Sequence, residues 1–185
     1  MSTATAVAVE RVWDHEPLTA LVRHILDTHH VFTRKAIDTL PALATQVGLR
    51  HGEARPETRE VAALVHHLAG DLAPHMQKEE QILFPFIESL EGALETGAGP
   101  AGSCFGSVRN PIRMMMREHD AAEAILKALR AVTRDYALPA DASESFAGLY
   151  SGLQELEADL TEHIRLENDV LFPRALRLEE AVLRP

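Results

Sequence analysis

Cysteine is almost absent from this chain, since Cys104 is the only one. A single thiol cannot form a disulfide within the chain. It also cannot supply the several thiolates of a structural zinc site or an iron–sulfur cluster. A chain without internal disulfides suits a reducing compartment. Aromatic residues are also few, at 5%, but 46% of the 185 residues are hydrophobic, which suits one compact domain.

Positive charge and long apolar runs are lacking as well. The formal net charge is -10, which argues against nucleic acid or an anionic membrane as a partner, because both bind basic surfaces. No apolar run approaches the roughly 20 residues of a membrane-spanning helix. The first residues, MSTATAVAVERVWDHE, have no basic start, and Glu10 and Arg11 interrupt their short apolar run, unlike a signal peptide. These features predict a cytoplasmic protein.

One stretch of the chain occurs twice. The segment from His75 to Pro85 reads HMQKEEQILFP, and the segment from His163 to Pro173 reads HIRLENDVLFP. In both copies a Glu follows the His by four residues, and in an α-helix this spacing puts the imidazole and the carboxylate on one face. Each copy therefore predicts one half of a metal site.

The hydrophobic periodicity predicts an all-α fold with four helices. They should run from Pro17 to about Val47, from Pro56 to about Leu90, from Asn110 to about Arg134, and from about Ser143 to Leu178. Their apolar residues recur at alternating steps of three and four, which is typical of an antiparallel up-down-up-down bundle. In the second helix this stripe passes through His75, Glu79, Ile82 and Phe86.

The remaining segments are expected to flank or join the helices. We expect a loose tail over residues 1–16, a bundle over residues 17–178 with a glycine-rich linker at about 92–110, and a tail over residues 179–185. Pro74 and Pro85 predict a kink or a loosened turn near the first His–Glu pair.

Four histidines recur at nearly even intervals, with one near the middle of each predicted helix. They are His30, His75, His119 and His163. In an up-down-up-down bundle such spacing can bring all four to one level of the core. With Glu79 and Glu167 they suit two first-row metal ions that are bridged by both carboxylates. About five ligands per ion would leave one position open for a further ligand, and iron is the first choice of metal, ahead of manganese and zinc.

Two alternatives remain open on the residues alone. Periodicity slightly favours His29 over His30 in the first helix, because His29 continues the stripe of Leu18, Val22 and Ile25. The second alternative is a plain helical bundle in which each His pairs with its own Glu on a solvated face. That interpretation suits one isolated pair, but burying two unpartnered pairs would cost several kcal/mol each.

At these residues the chain resembles the hemerythrin-like HHE domain, and more closely the di-iron family called repair of iron centres. The resemblance rests on HMQKEEQILFPFI from His75, MREHDAAE around His119 and HIRLENDVLFPRAL from His163, and it extends from about Pro17 to Leu176. It implies iron ligands, with the two glutamates bridging, at His30, His75, Glu79, His119, His163 and Glu167. The resemblance thus favours His30 over His29.

The resemblance also implies a cofactor and a function. The cofactor would be two non-haem iron ions, carboxylate-bridged and with an oxo or hydroxo bridge. The function would be a stress response that repairs iron–sulfur clusters damaged by nitric oxide or oxidants, by donating iron or by handling nitric oxide. The family's usual form carries a small helical domain with two cysteines before the bundle, whereas no cysteine precedes the first predicted helix here.

The expected partners follow from this interpretation. They are a small ligand such as NO, O2 or H2O2 and damaged iron–sulfur proteins, without nucleic acid or membrane, and the chain would be a monomer or a homodimer. One alternative function is a carrier or sensor of O2 or NO, although we find no clear place for the fifth His of hemerythrins. Another is a di-iron nitric oxide reductase or a peroxide-decomposing enzyme, which only the open coordination position supports.

Overall fold

Four long helices form the structure, a computed structural model that describes residues 13–97 and 105–184. Cys104 lies outside these residues. Helix α1 comprises α-helical segments Leu18–His24 and Val31–His51 around a π-helical turn, Ile25–His30. Helix α2 comprises Glu57–Lys78, the π turn Glu79–Leu83 and Phe84–Thr96. Helix α3 is the uninterrupted Arg109–Thr133, and α4 comprises Glu144–Arg165, the π turn Leu166–Leu171 and Phe172–Leu183.

The helices form the antiparallel up-down-up-down bundle that the sequence predicts. Helix α1 packs against α2 and α4, and α2 also packs against α3. Within the described residues, no helix combines the length and the apolar character needed to cross a lipid bilayer.

Two apolar clusters fill the core, one toward each end of the bundle. The first includes buried residues from 36–47, 61–72, 122–129 and 146–160. The second includes buried residues from 13–25, 83–90, 108–115 and 166–175. Each helix passes from one cluster to the other through a short polar stretch, so one polar layer separates the two clusters. The predicted metal ligands lie in this layer.

The three π turns lie at the polar layer. His30 ends the first, Glu79 begins the second, and Glu167 lies in the third. A π turn accommodates one more residue than an α-helical turn, and such turns occur frequently at functional sites. In a regular α-helix, the stripe that includes Ile25 would continue at His29, four residues later. The extra residue of the π turn places His30 in the centre instead, which is why simple periodicity favoured His29.

The same shift corrects one expectation for α2. Ile82 was expected to be buried but is 45% exposed, whereas Leu83 and Phe84 are almost fully buried. The loosened turn expected near the first His–Glu pair is the π turn that precedes Pro85. Because proline lacks the N–H that an α-helix would bond to the carbonyl four residues earlier, Pro85 and Pro173 favour an altered turn before them.

Some described residues of the predicted tails form regular structure. Residues Trp13–His15 form a 3₁₀ turn with Trp13 buried, and the guanidinium of Arg174 donates to the carbonyls of Trp13 and Glu16, both at 2.6 Å. Helix α4 continues to Leu183, and the buried carboxylate of Glu179 accepts a hydrogen bond from the N–H of Val108 at 2.7 Å. Helices α2 and α3 also extend into the predicted linker, and Gly97, with φ 67, follows the last residue of α2.

Candidate metal centre

The six side chains predicted as metal ligands come together in the polar layer. All six are nearly inaccessible to solvent, with exposed fractions of 0–3%. Helix α1 supplies His30, α2 supplies His75 and Glu79, α3 supplies His119, and α4 supplies His163 and Glu167. The structure brings His30 rather than His29 into this group.

Two groups of four side chains share both glutamates. One group is His75, His119, Glu79 and Glu167, and we call it the 75/119 position. The other is His30, His163, Glu79 and Glu167, the 30/163 position. In each group the potential ligand atoms all lie within 4.8 Å of one another. This separation suits four atoms that surround one metal ion.

Each glutamate turns one carboxylate oxygen toward each position. Glu79 Oε1 lies 3.3 Å from His75 Nε2, and Glu79 Oε2 lies 3.4 Å from His30 Nε2. Glu167 Oε2 lies 3.0 Å from His119 Nε2, and Glu167 Oε1 lies 3.1 Å from His163 Nε2. This is the arrangement in which a carboxylate can bridge two cations.

Three of the four imidazoles are held by a second side chain through Nδ1. His30 Nδ1 contacts Glu80 Oε1 at 2.7 Å, and His75 Nδ1 contacts Glu118 Oε2 at 2.8 Å. His119 Nδ1 lies 2.9 Å from Asn168 Oδ1. When the imidazole is neutral, these acceptors place the proton on Nδ1 and leave the Nε2 lone pair directed into the site.

The outer carboxylates are themselves paired with cations at the surface. Glu80 accepts a hydrogen bond from Arg34, and Glu118 accepts one from Lys78. Although partial burial opposes it, the hydrogen bonds from Lys78 and His75 lower the pKa of Glu118. Glu118 therefore stays charged and remains an acceptor for His75 at neutral pH.

The two central carboxylates have opposite electrostatic environments. Burial and the neighbouring charge of Glu167 raise the pKa of Glu79 well above its ordinary value. Although burial opposes it, the charge of His163 and hydrogen bonds from His119 and His163 lower the pKa of Glu167. Without a cation, the layer therefore favours one protonated and one ionised glutamate.

The imidazoles also depart from their ordinary pKa. Burial and the adjacent His119 lower the pKa of His75 to about 4, and burial also lowers the pKa of His30. Although burial opposes it, the hydrogen bond and charge of Glu167 raise the pKa of His119. His30 and His75 are thus neutral at pH 7, which is the form that binds a metal ion.

Several buried atoms at the centre have no hydrogen-bond partner in the described part of the chain. They include His30 Nε2 and both carboxylate oxygens of Glu79. Leaving such an atom unsatisfied costs about 1–3 kcal/mol. Imidazole nitrogens and carboxylate oxygens without thiolates suit first-row metal ions, so the layer is a cluster that could hold metal.

A small pocket adjoins the 75/119 position. Its volume is about 20 Å³, and its lining includes His75, His119 and His163. Its other lining residues are the apolar Leu72, Ala122, Leu160 and Ile164 and the acidic Asp71 and Glu118. A space of this size accommodates about one water molecule. The pocket therefore has room only for a ligand of two or three atoms.

The acceptors for Nδ1 were not predicted from the sequence. Glu80 and Asn168 could have been found, because each directly follows the glutamate of the repeat and the two occupy corresponding places. The sequence gives a weaker signal for Glu118, because Glu118 lies outside the repeated segment and only its position directly before His119 marks it. Three other histidines lie outside the centre: His66 contacts Thr45, His67 contacts Asp71, and His51 contacts Ser143.

Comparison with known proteins agrees with this geometry. Residues 21–175 match the family described as hemerythrin HHE cation binding domain. The iron-sulfur cluster repair protein YtfE of Yersinia pseudotuberculosis (serotype IB, strain PB1/+) is 37% identical over 167 residues, which are 90% of this chain and 70% of the relative. The YtfE protein of Yersinia pestis has the same identity and coverage, and that of Y. pseudotuberculosis serotype O:1b (strain IP 31758) is 36% identical.

Proposed function

Since the chain belongs to the hemerythrin HHE family, we propose that it is a non-haem di-iron protein that helps to restore damaged iron–sulfur clusters. The damage would come from nitric oxide or oxidants, and the protein would act by donating iron or by handling nitric oxide. The observation that carries this proposal is that Glu79 and Glu167 each turn one oxygen toward two separate pairs of imidazoles.

Two cations fit this centre better than one. A single ion at the 75/119 position would leave His30 and His163 buried beside unsatisfied carboxylate oxygens. Two divalent ions would neutralise both glutamates and use all four Nε2 atoms. Iron suits a ligand set of imidazole and carboxylate, and when bound it supplies an open coordination position and redox chemistry.

The residues around the ligands have separate tasks in this proposal. Glu80, Glu118 and Asn168 orient three imidazoles and keep their protons on Nδ1. The apolar side chains around the small pocket exclude bulk water and restrict access to small ligands. The absence of thiolate ligands favours donation of iron, because imidazole and carboxylate hold ferrous iron less firmly than thiolates hold it in clusters.

The names of the relatives support the repair role over other roles of this family. All three Yersinia proteins named above are iron–sulfur cluster repair proteins, and the similarity covers 90% of this chain. The test uses an enzyme whose [4Fe–4S] cluster has been destroyed with nitric oxide. Protein loaded with ferrous iron should restore more activity than the same amount of free ferrous iron.

The control for this test is a pair of variants. Glu79→Ala should lose the effect because it removes the shared carboxylate. His51→Ala should keep it because His51 contacts Ser143 and Phe146, away from the polar layer. Equal recovery with free iron, or equal recovery with both variants, would contradict the repair role.

A second candidate function is a carrier or sensor of NO or O2. The small pocket lined by His75, His119 and His163 favours it, because the pocket has room for a diatomic ligand and excludes larger substrates. Absorption spectra under the gas and after its removal by vacuum test this function. A band that appears and disappears over several cycles supports it, and irreversible oxidation in the first cycle contradicts it.

A further inference from the structure

The polar layer contains an internal repeat that extends beyond the ligands. Glu80 follows Glu79 and contacts the Nδ1 of His30. Asn168 follows Glu167 and contacts the Nδ1 of His119 in the same way. The first half of the bundle thus corresponds to the second half, and each residue that holds an imidazole has a counterpart.

The counterpart of Glu118 is His29. Glu118 directly precedes His119 and contacts the Nδ1 of His75. His29 directly precedes His30, and its ring stacks on that of His163 with centroids 5.4 Å apart and an interplanar angle of 14°. His29 therefore occupies the place from which an acceptor would hold His163.

His29 does not hold His163 in this way. Its Nδ1 contacts Asp159 Oδ1 at 3.0 Å instead. His163 Nδ1 is buried without a hydrogen-bond partner among the described residues, and so is the second oxygen of Asp159. Within the described residues, His163 is thus the one of the four imidazoles whose Nδ1 has no side-chain partner.

The backbone adds to the difference between the two positions. His75 and His119 project from regular α-helix, whereas His30 is the last residue of a π turn. The 30/163 position therefore combines one imidazole on irregular backbone with another that lacks an outer partner. Loss of an outer partner typically weakens metal binding about 10- to 100-fold.

The same residues connect this position with the surface. His29 lies behind His163, and Asp159 has a side-chain exposure of 17%. His24 follows at a ring-centroid distance of 5.5 Å from His29 and is partly exposed. Imidazole and carboxylate groups can bind a divalent cation one after another as it moves from the centre to the surface. By contrast, Glu118 and Glu80 are paired with Lys78 and Arg34, whose charges would repel a passing cation.

We propose that the two metal positions are unequal, and that the ion between His30 and His163 leaves first, past His29 and Asp159. This inference rests on the proposed di-iron function. It identifies the 30/163 ion as the cargo that is donated and the 75/119 ion as the one that is retained. The small pocket is lined by His75 and His119 of the retained position and by His163 of the other.

The first experiment follows the release of metal. The full chain is loaded anaerobically with two equivalents of ferrous iron and mixed with excess of a chromophoric ferrous chelator. Release should occur in two phases of one ion each, with the first at least about tenfold faster. Crystals flash-cooled after the first phase should show an iron-edge anomalous peak between His75 and His119 alone.

Two matched variants assign the phases. In His29→Gln the amide oxygen can accept from His163 Nδ1 while the amide N–H₂ donates to Asp159, so the fast phase should slow by about tenfold. In Glu118→Ala the imidazole of His75 loses its acceptor, so the slow phase should accelerate by a similar factor while the fast phase stays unchanged. Asp159→Asn, which keeps the size of the side chain, is the second probe of the route, and it should slow the fast phase.

The outcomes separate this inference from the proposed function. Two ions that leave in one phase, or a peak that remains between His30 and His163, would overturn the inference and leave the di-iron centre intact. Ordered release without any restoration of a damaged cluster would overturn the repair role and leave the inference intact. A chain that binds fewer than two ions would overturn both.

Discussion

The two copies of the repeated segment, at 75–85 and 163–173, share their motif but not their chemistry. Glu79 has two buried oxygens without hydrogen-bond partners among the described residues, and its pKa is raised by burial and by Glu167. Glu167 lies closer to its two imidazoles, and its pKa is lowered by His163 and His119 although burial opposes this. The same spacing of His and Glu therefore occurs with a glutamate that tends to be protonated, Glu79, and with one that tends to be ionised, Glu167.

The local motif determines where the His and Glu side chains lie, and the neighbouring helices determine the charge of each carboxylate. The spacing of four residues places the imidazole and the carboxylate on one helix face in both copies. The neighbouring helices then decide the charge of each carboxylate, because α3 brings His119 within 3.0 Å of Glu167. A pair of divalent cations would remove the difference, since both carboxylates would then be ionised.

The largest expected effect is on metal binding. Glu79→Ala and Glu167→Ala should each abolish binding of two ions, because each removes a carboxylate that reaches both positions. The loss of affinity should exceed the roughly 10- to 100-fold that removal of an outer partner causes. Metal analysis and the coupled two-metal spectrum measure it. His51→Ala is the control, and unchanged metal content in either Glu variant would show that the centre is misplaced.

The next effect concerns the pH dependence of the metal-free protein. His75 has a folded pKa of about 4, below its ordinary value of 6.5. As the pH falls from 6.5 to 4, the unfolded chain therefore takes up a proton that the folded chain does not, and stability is lost in this window. The contribution of His75 to this loss is about 3 kcal/mol at pH 4.

The variant His75→Gln tests this contribution. Its free energy of unfolding, measured in urea, should fall less between pH 7 and pH 4 than that of the wild type. His67→Gln replaces an exposed histidine and is the control for the loss of one imidazole. The same decline with pH in wild type and His75→Gln would contradict a neutral, buried His75.

A smaller effect distinguishes the two glutamates directly. In the metal-free protein, Glu167→Gln should lower the free energy of unfolding by about 2 kcal/mol, because it removes the charge that His119 and His163 contact. Glu79→Gln should change it by less than about 1 kcal/mol, because its oxygens have no hydrogen-bond partner in the described part of the chain. Urea unfolding at pH 7 compares them, and an equal loss of stability would remove the difference between the copies.

The smallest effect concerns the residue that follows each glutamate. Glu80→Ala and Asn168→Ala should each weaken metal binding by about tenfold, because each releases one imidazole from its Nδ1 acceptor. Glu80→Ala should have the larger effect, since a charged acceptor binds N–H more strongly than an amide oxygen does. Competition with a chelator of known affinity measures both. A larger loss with Asn168→Ala would contradict this order.

Much of this arrangement could be predicted from the sequence, because helix geometry is local. The pairs His75/Glu79 and His163/Glu167 follow from a spacing of four, and His30 and His119 were found from the nearly even intervals between the four histidines. The assignment of all six as metal ligands stays a prediction, although the structure brings them together.

The remaining features depend on contacts that periodicity does not contain. The choice between His29 and His30 depends on a π turn in α1, where no proline marks the change of turn. The exposure of Ile82 depends on a similar turn in α2. The acceptor Glu118 and the contact of His29 with Asp159 depend on how neighbouring helices meet.

The most direct test of the central claim is iron-edge anomalous diffraction from crystals of the full chain loaded anaerobically with ferrous iron. The account predicts two peaks per chain, one between His75 and His119 and one between His30 and His163, with Glu79 and Glu167 reaching both. A single peak in fully loaded protein, or peaks outside the polar layer, would contradict it.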